Sequence, residues 1–230
     1  MQHVGELVDH ARPEFHDRAE AGRVLAEFME DSGAEVDVVV AVPSGGVAVG
    51  APVAEHFGVP MNVVLVRKLP LPMSSEAGFG AVTLERDVVL NNPLVRRAGL
   101  TEERIEAIID RVLEGLRERA RAFEEARSRE PVEGRDVVLV DDGLASGVTM
   151  EAAVGELRRK HPASLSVAVP VAPMHTVRRI EPEVDQLYCL RAQRPGSFAV
   201  ASFYRRWHDL TDEEALQILR RAGAGSEQAS

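Results

Sequence analysis

Residues 136–149 read DVVLVDDGLASGVT, and this stretch decides the fold class. The run from Val137 to Val140 is apolar without interruption, which is typical of a strand buried on both faces in the parallel sheet of an α/β domain. Asp141 and Asp142 follow directly, at the carboxyl end of the strand, where open α/β sheets bind their ligands. The order of strand, acids and small-residue loop therefore predicts a ligand site directly after this strand.

The loop after the acids is suited to an anion. Small residues from Gly143 to Gly147 let backbone N–H groups approach a negative charge closely. Apolar residues then recur at helical spacing: Met150, Ala153, Val154 and Leu157. A helix from Val148 would point its partially positive N-terminus at the loop, and Ser146 and Thr149 add hydroxyl donors. With carboxylates to accept from sugar hydroxyls, the parts predict a phosphorylated sugar as ligand. The alternative is that the acids only cap the helix.

The pattern VVLV-DD-GL-AS-GVT resembles the phosphoribosyl pyrophosphate (PRPP) signature of type I phosphoribosyltransferases. That signature has four apolar residues, two acids, two variable positions, commonly two threonines, and Gly-x-Thr. Ala145 and Ser146 stand in place of the threonines, so one hydroxyl is lost. FHDRAEAGRVLAEF, VVVAVPSGGVAVG, VLVRKL, the segment 76–82 and FYRRWHDLTDEEAL extend the resemblance over most of residues 15–221, to stand-alone predicted phosphoribosyltransferases of undefined acceptor. The resemblance implies PRPP as donor and leaves the acceptor open.

Composition limits the class of partner. The 230 residues are 45% hydrophobic, enough for one large α/β domain or a core with a small subdomain. Twenty-seven basic against thirty-seven acidic residues give a net charge of −10, so nucleic acid and anionic membranes are not expected partners. The lone Cys189 favours a reducing compartment, and a cytoplasmic location is expected. No apolar run reaches the roughly 18 residues of a membrane span, and residues 1–10 are too polar for a signal peptide.

A second strand, loop and helix are predicted near the N-terminus. Residues 36–42 read VDVVVAV, which predicts a buried strand, and Ser44, Gly45 and Gly46 come soon after it. By resemblance, this loop holds the pyrophosphate of PRPP; alternatively the glycines serve only a tight turn. A dinucleotide site is a rival, but the glycines do not follow the order G-x-G-x-x-G. The strand predicted at 61–66 is followed by Arg67 and Lys68 rather than by an acid for a ribose hydroxyl. Because an arginine could bind a 2′-phosphate, NADP is left as a weak alternative.

Residues 68–80 are rich in Pro, Gly and Ser, which predicts a mobile cover over the anion site. In position, the segment resembles the flexible loop of type I enzymes. Arg67 and Lys68, at the start of this cover, would meet the leaving pyrophosphate when the cover closes. Alternatively both are solvated residues at the end of a strand. A short hairpin is predicted at 81–90 around Glu85 and Arg86.

The remaining pattern predicts helices and strands around this core. Helices are predicted at 15–30, 101–127 and 173–180, and strands at 165–171 and 184–190. Asp17 marks the start of the first helix, and Thr101 is the N-cap of the second. The long 101–127 helix permits a subunit contact, so a homodimer is possible. Tyr204 and Trp207 are candidate acceptor-binding residues, since flat rings stack on planar bases, although such clusters more often form core packing. A terminal helix is predicted at 211–221 and a disordered tail at 223–230. Residues 1–222 would then form a single domain.

Together these features predict an α/β protein with a Rossmann-like, parallel-sheet type I phosphoribosyltransferase fold, a small hood and an inserted long helix. The resemblance implies transfer of 5-phosphoribosyl to a nitrogen acceptor, with Mg²⁺ bound mainly through PRPP. Asp141, Asp142 and Lys68 would be catalytic. PRPP would contact Ser44, Gly45, Gly46, Arg67, Gly143, Leu144, Ala145, Ser146, Gly147, Val148 and Thr149. The alternative is a regulator of the same fold that senses PRPP or a nucleotide without turnover. No histidine or cysteine spacing suggests a zinc site.

Overall fold

The computed structural model describes residues 1–72, 74–124, 126 and 130–226, with the backbone alone at 74–77 and 224–226. The strands are β1 Gln2–Val8, β2 Val38–Ala41, β3 Met61–Val63, β4 Val66–Leu71, β5 Ser74–Thr83, β6 Val88–Leu90, β7 Asp136–Val140, β8 Ser164–Pro173 and β9 Gln186–Gln193. The helices are α1 Arg18–Asp31, α2 Gly45–Phe57, α3 Asn92–Arg97, α4 Glu102–Phe123, α5 Val148–Arg159, α6 Met174–Ile180 and α7 Asp212–Ser226.

A parallel sheet of order β1-β9-β8-β7-β2-β3 forms the centre of the described chain. β7 lies between β8 and β2 and is covered on both faces. Val138 and Val140 belong to one apolar cluster with residues of α1 and α2, whereas Val137 and Leu139 belong to a second cluster with residues of α5 and α6. All four side chains are at most 1% exposed. This two-sided burial explains why the strand has no polar alternation, and it confirms the predicted buried strand.

Neighbouring strands place the two predicted loops side by side. β2 and β7 pair in parallel with Ala41 opposite Val140, so both chains leave the sheet at the same edge. The Val42 amide continues the ladder by donating to the Val140 carbonyl at 3.0 Å. The loop after β2 and the loop after β7 therefore face one another across a short gap, at the carboxyl ends where such sheets bind ligands.

The segment 68–80 differs from its prediction. It contributes to a second, antiparallel sheet of order β4-β5-β6, in which Val66 pairs with Thr83 and Lys68 with Ala81. Leu69 and Phe79 are fully buried within this hairpin and anchor it to the core. The content of Pro, Gly and Ser gave no sign of these two anchors or of the two strands, and the mobility of the cover stays a prediction. Residue 73 and the side chains of 74–77 lie outside the described residues.

Several other boundaries also differ. The strand predicted at 61–66 divides into β3 and β4, which belong to different sheets. The polar N-terminal lead forms the edge strand β1, which pairs in parallel with β9 through its backbone and so needs no apolar side-chain pattern. The short helix α3 was not predicted. α7 continues to Ser226, past the predicted end of the domain at 222, and residues 227–230 lie outside the described residues.

Other predictions are confirmed. The β5–β6 pairing is the hairpin predicted at 81–90. α1 begins where Asp17 accepts from the Glu20 amide, and α4 begins where Thr101 accepts from the Arg104 amide. The buried face of α4, which includes Leu113 and Leu116, packs against the chain's own second sheet. Among the described residues, no helix is long and apolar enough to cross a membrane.

Candidate active site

A cavity of about 360 Å³ lies at the carboxyl ends of β2 and β7. It brings together most of the predicted site residues: Ser44, Gly45, Lys68, Asp141, Asp142, Gly143, Leu144, Ala145, Ser146, Gly147, Thr149 and Trp207. Residues that were not predicted complete the lining: Arg18, Met150, Val200, Asp209 and Leu210. The predicted residues outside the lining are Gly46, Arg67, Val148 and Tyr204. The loops that are far apart in sequence thus share one cavity.

The loop after β7, residues 143–147, is braced by α6. The Thr176 hydroxyl donates to the Ala145 carbonyl at 2.7 Å, and Arg179 donates to the Ser146 carbonyl at 3.2 Å. Gly147 has a φ of 77°, a left-handed conformation that favours glycine. A Cβ at this position would also meet Thr176 Cγ2 at 2.8 Å. The loop is therefore fixed from outside the cavity, and its inner side is left open.

The inner side of this loop presents unused backbone donors. The Leu144 amide already donates to the Val171 carbonyl at 2.9 Å. Within the described ranges, by contrast, no protein group accepts from the amides between Ala145 and Thr149. These amides form the N-terminus of α5, where the helix dipole adds partial positive charge. The arrangement suits a dianionic phosphate group.

Two carboxyl groups stand beside these donors. Asp141 Oδ1 accepts from the Asp142 amide at 2.8 Å, and Asp142 Oδ2 accepts from Arg18 Nε at 2.7 Å. Burial and the neighbouring Asp142 raise the pKa of Asp141 well above its ordinary value. Burial also raises the pKa of Asp142, although the charge and hydrogen bond of Arg18 oppose this shift. A ligand that brings hydroxyl donors or a cation would therefore stabilise the ionised form of this pair.

Arg18 is a site residue that sequence reasoning missed. Its side chain is only 8% exposed, and its guanidinium carbon lies 3.7 Å from the centre of the Trp207 ring. It also donates to the His208 carbonyl at 3.0 Å. One signal was present in the sequence: Arg18 is a basic residue at the start of α1. The first turn of a helix favours acidic side chains, so a cation there is unusual. Arg18 thus links a catalytic candidate, Asp142, to the aromatic wall of the cavity.

The two aromatic candidates occupy different places. Trp207 lines the cavity, whereas Tyr204 is 4% exposed and packs between Phe15 and Trp207. The Tyr204 hydroxyl donates to the Asp142 carbonyl at 2.7 Å, and burial raises its pKa, so it keeps its proton. The burial of Tyr204 therefore favours the core-packing alternative for this ring over stacking on an acceptor. Tyr204 supports the carboxylate loop instead.

The loop after β2 approaches the carboxyl pair closely. A Cβ on Gly45 would lie 2.0 Å from Asp142 Oδ2, so any larger residue would require the carboxyl or the loop to move. The Gly46 amide donates to the Val42 carbonyl at 3.0 Å and is not available to a ligand. Within the described ranges, the amides of Ser44 and Gly45 have no protein acceptor. Lys68 lines the same cavity, and its charge lowers the pKa of Asp141 against the larger effect of burial.

This sheet, with its two facing loops, defines a phosphoribosyltransferase-type α/β domain. Residues 13–194 match the family model of the phosphoribosyl transferase domain, and the chain belongs to this family. The predicted α/β fold with its parallel central sheet is thereby confirmed. Family membership also favours the phosphoribosyl interpretation of the loop after β2 over the dinucleotide alternative.

Individual relatives agree with this assignment. The chain is 36% identical over 208 residues to proteins of two Mycobacterium tuberculosis strains that are named "Putative phosphoribosyl transferase". These alignments cover 90% of this chain and 47% of each relative, so the chain spans about half the length of the curated relatives it matches. The crystal structure of TT1426 from Thermus thermophilus is 37% identical, with a TM-score of 0.74, over 90% of this chain and 98% of that chain.

Proposed function

We propose that the protein transfers the 5-phosphoribosyl group of PRPP to a nitrogen acceptor. A bond would form between the acceptor nitrogen and C1 of the ribose as the C1–O bond breaks. Pyrophosphate would leave with the electron pair of that bond, and the nitrogen would lose a proton. The observation that carries this proposal is the shared cavity, in which unused amides after β7, two carboxyls and the loop after β2 face one another.

The 5′-phosphate would bind at the loop after β7. The unused amides between Ala145 and Thr149 are the donors, and the hydroxyls of Ser146 and Thr149 add to them. Gly143, Leu144, Gly147 and Val148 would shape this loop rather than contact the phosphate through side chains. The Leu144 amide already donates to the Val171 carbonyl, so its role is to hold the loop in place.

The ribose would lie against Asp141 and Asp142. Carboxylates accept hydrogen bonds from neighbouring hydroxyls, and their charge stabilises the positive charge that develops at C1 in the transition state. Burial raises the pKa of both acids, so their ionised forms are poorly solvated in the free protein. Ribose hydroxyls would supply the missing donors, and Arg18 helps to keep Asp142 ionised.

The pyrophosphate would bind at the loop after β2. Its donors are the amides of Ser44 and Gly45, and Lys68 adds a positive charge from β4. Arg67, the other predicted cation, is exposed and lies outside the cavity lining, so its effect would be electrostatic rather than a direct contact. Gly46, which has no side chain, would let the loop lie close to β7.

Mg²⁺ fits this donor set as a partner of the substrate. The carboxyl oxygens of Asp141 and Asp142 are hard ligands of the kind that Mg²⁺ prefers. In the described part of the chain, no three His, Cys, Asp or Glu residues are grouped as metal ligands. Mg²⁺ would therefore be held mainly by PRPP, with these two acids nearby. When bound, it would neutralise charge on the leaving pyrophosphate.

The acceptor would enter beside Trp207. A nucleobase or a similar flat amine is proposed, because the indole ring lines the cavity next to the carboxyl pair. A homodimer and a cytoplasmic location remain proposals that rest on the sequence. Burial raises the pKa of the Cys189 thiol to about 12, so this thiol takes no part in the proposed chemistry.

A pyrophosphate-release screen tests the proposal. Purified protein with PRPP and Mg²⁺ would be incubated with purine bases, pyrimidine bases and small amines in turn. Release that depends on one acceptor, with the matching ribosylated product, is the expected result. Release in no member of a wide panel, although PRPP binds, would favour the sensing regulator and contradict the transferase.

A further inference from the structure

The side chain of Ser44, in the proposed pyrophosphate loop, is held by two residues that are remote in sequence. Ser44 Oγ donates to Asp212 Oδ1 at 2.9 Å and accepts from Arg119 Nη2 at 2.9 Å. Arg119 Nε in turn lies 2.9 Å from both carboxylate oxygens of Asp212. These three residues come from the loop after β2, the long helix α4 and the first residue of α7.

The contacts leave the Ser44 hydroxyl with no proton for a ligand. A hydroxyl has one hydrogen to donate, and here that hydrogen goes to Asp212. The loop's remaining donors toward the cavity are its backbone amides. Two hydrogen bonds to the short Ser44 side chain restrain the backbone to which it is bonded, and with it the position of these amides.

Arg119 is well placed to hold this loop. Its side chain is 10% exposed, and its guanidinium carbon lies 5.5 Å from the centre of the Phe123 ring on the same helix. Burial acts to raise the pKa of Asp212, but the hydrogen bonds and charge of Arg119, together with the hydrogen bond from Ser44, oppose this effect, and the pKa is lowered. Arg67 acts on Asp212 in the same direction. The carboxylate is thus kept ionised beside the loop.

We propose that Arg119 and Asp212 are positioning residues that fix the pyrophosphate loop through the Ser44 hydroxyl. The inserted helix α4 thereby acquires a role in the site, because it supplies the arginine. The inference rests on the proposed function, since it assigns this loop to pyrophosphate. It predicts that loss of Arg119 weakens the hold on the pyrophosphate part of the substrate and spares the part bound after β7.

The two halves of the substrate provide separate probes. Magnesium pyrophosphate and ribose 5-phosphate would each be titrated by calorimetry into the wild-type protein and into Arg119→Ala. Affinity for pyrophosphate should fall by about tenfold or more in the variant, as expected when charge-assisted hydrogen bonds are lost. Affinity for ribose 5-phosphate should change by less than about twofold, because its loop is braced by Thr176 and Arg179 rather than through Arg119.

Matched variants separate positioning from charge and from folding. Arg117→Ala removes an exposed arginine from the same helix and should leave both affinities unchanged. Arg119→Lys keeps the charge but lacks the planar fork that reaches Ser44 and Asp212 together, so it should restore little of the loss. Asp212→Asn retains the size of the side chain and should weaken pyrophosphate binding in the same direction.

The outcomes discriminate between the claims. Unchanged pyrophosphate affinity in Arg119→Ala would overturn the positioning role, and so would an equal loss for both ligands, which indicates general structural damage. Full rescue by lysine would also overturn it, because charge alone would then suffice. If the wild-type protein binds neither probe, the proposed function itself fails, and that result is distinct from any result obtained with the variants.

Discussion

Two loops at the carboxyl ends of adjacent strands, each proposed to bind one end of PRPP, are supported in different ways. The loop after β7, residues 143–147, is braced by Thr176 and Arg179 of α6, which lie 31 and 33 residues from their partners Ala145 and Ser146, and it presents unused backbone amides. The loop after β2, residues 43–46, is fixed by Arg119 and Asp212, which lie 75 and 168 residues from Ser44 in the chain. The comparison shows that both loops are held by tertiary contacts, and that the contacts of the loop after β2 span far longer stretches of the chain.

The largest expected effect concerns the acids that lie between the two loops. Asp141→Asn combined with Asp142→Asn should reduce transfer by about a hundredfold or more, since electrostatic stabilisation at C1 is lost. The fold should persist, because neutral amides are more easily buried than carboxylates. Steady-state kinetics and circular dichroism measure the two properties. Glu118→Gln, an exposed acid on α4, serves as the control, and full activity in the double variant would sink the assignment.

A second variant tests the close approach of the loops. Gly45→Ala would place a Cβ 2.0 Å from Asp142 Oδ2, so the carboxyl or the loop must move. A loss of kcat/KM of about tenfold to a hundredfold is expected, since misplacement of this order is costly in a positioned site. Gly155→Ala is the matched control on α5, because no atom lies within 4 Å of its Cβ. The control should keep activity and gain up to about 1 kcal/mol of stability.

The pH dependence of stability distinguishes the carboxyl pair from ordinary surface acids. The pKa of both Asp141 and Asp142 is raised in the folded state, so the folded protein binds more protons than the unfolded chain between pH 3.8 and the raised values. Their contribution favours the folded state at the low end of this window and is lost as pH rises through it. Asp141→Asn should flatten this trend. Urea denaturation at several pH values measures it, and a steeper trend in the variant would contradict the argument.

The smallest expected effect concerns Trp207, beside which the acceptor is proposed to enter. Trp207→Ala should raise the KM for the acceptor by about fivefold to tenfold through loss of an aromatic surface. The affinity for PRPP should stay within about twofold of the wild type. Trp207→Phe keeps a ring against Arg18 and should lie between the two. If the alanine variant instead loses PRPP affinity and keeps its acceptor KM, Trp207 acts through Arg18 and Asp142 rather than on the acceptor.

Local patterns explain what the sequence predicted well. The run from Val137 to Val140 predicted a strand covered on both faces, and the order of acids and small residues predicted the cavity edge after it. These features depend on neighbouring residues, so the pattern and the structure agree. The same holds for the cap at Thr101, whose hydroxyl acts within three residues of its own position.

Long-range contacts explain what the sequence did not predict. Arg18, Arg119 and Asp212 belong to helices whose patterns indicate only solvated charges, and tertiary packing brings them to the site. Leu69 and Phe79 anchor a hairpin within a stretch whose composition is typical of a loop. Tyr204 and Trp207 have the same aromatic character in sequence, and only the packing of Phe15 and Trp207 around Tyr204 shows which of the two rings is buried.

The central claim is that both loops hold one molecule of PRPP between them. Calorimetric titration of the wild-type protein with PRPP and Mg²⁺ tests it most directly, with pyrophosphate and ribose 5-phosphate each added as competitor. One PRPP bound per chain, displaced by either competitor, is the predicted result. Absence of PRPP binding, or displacement by only one of the two competitors, would contradict the assignment of the two loops to the two ends of the donor.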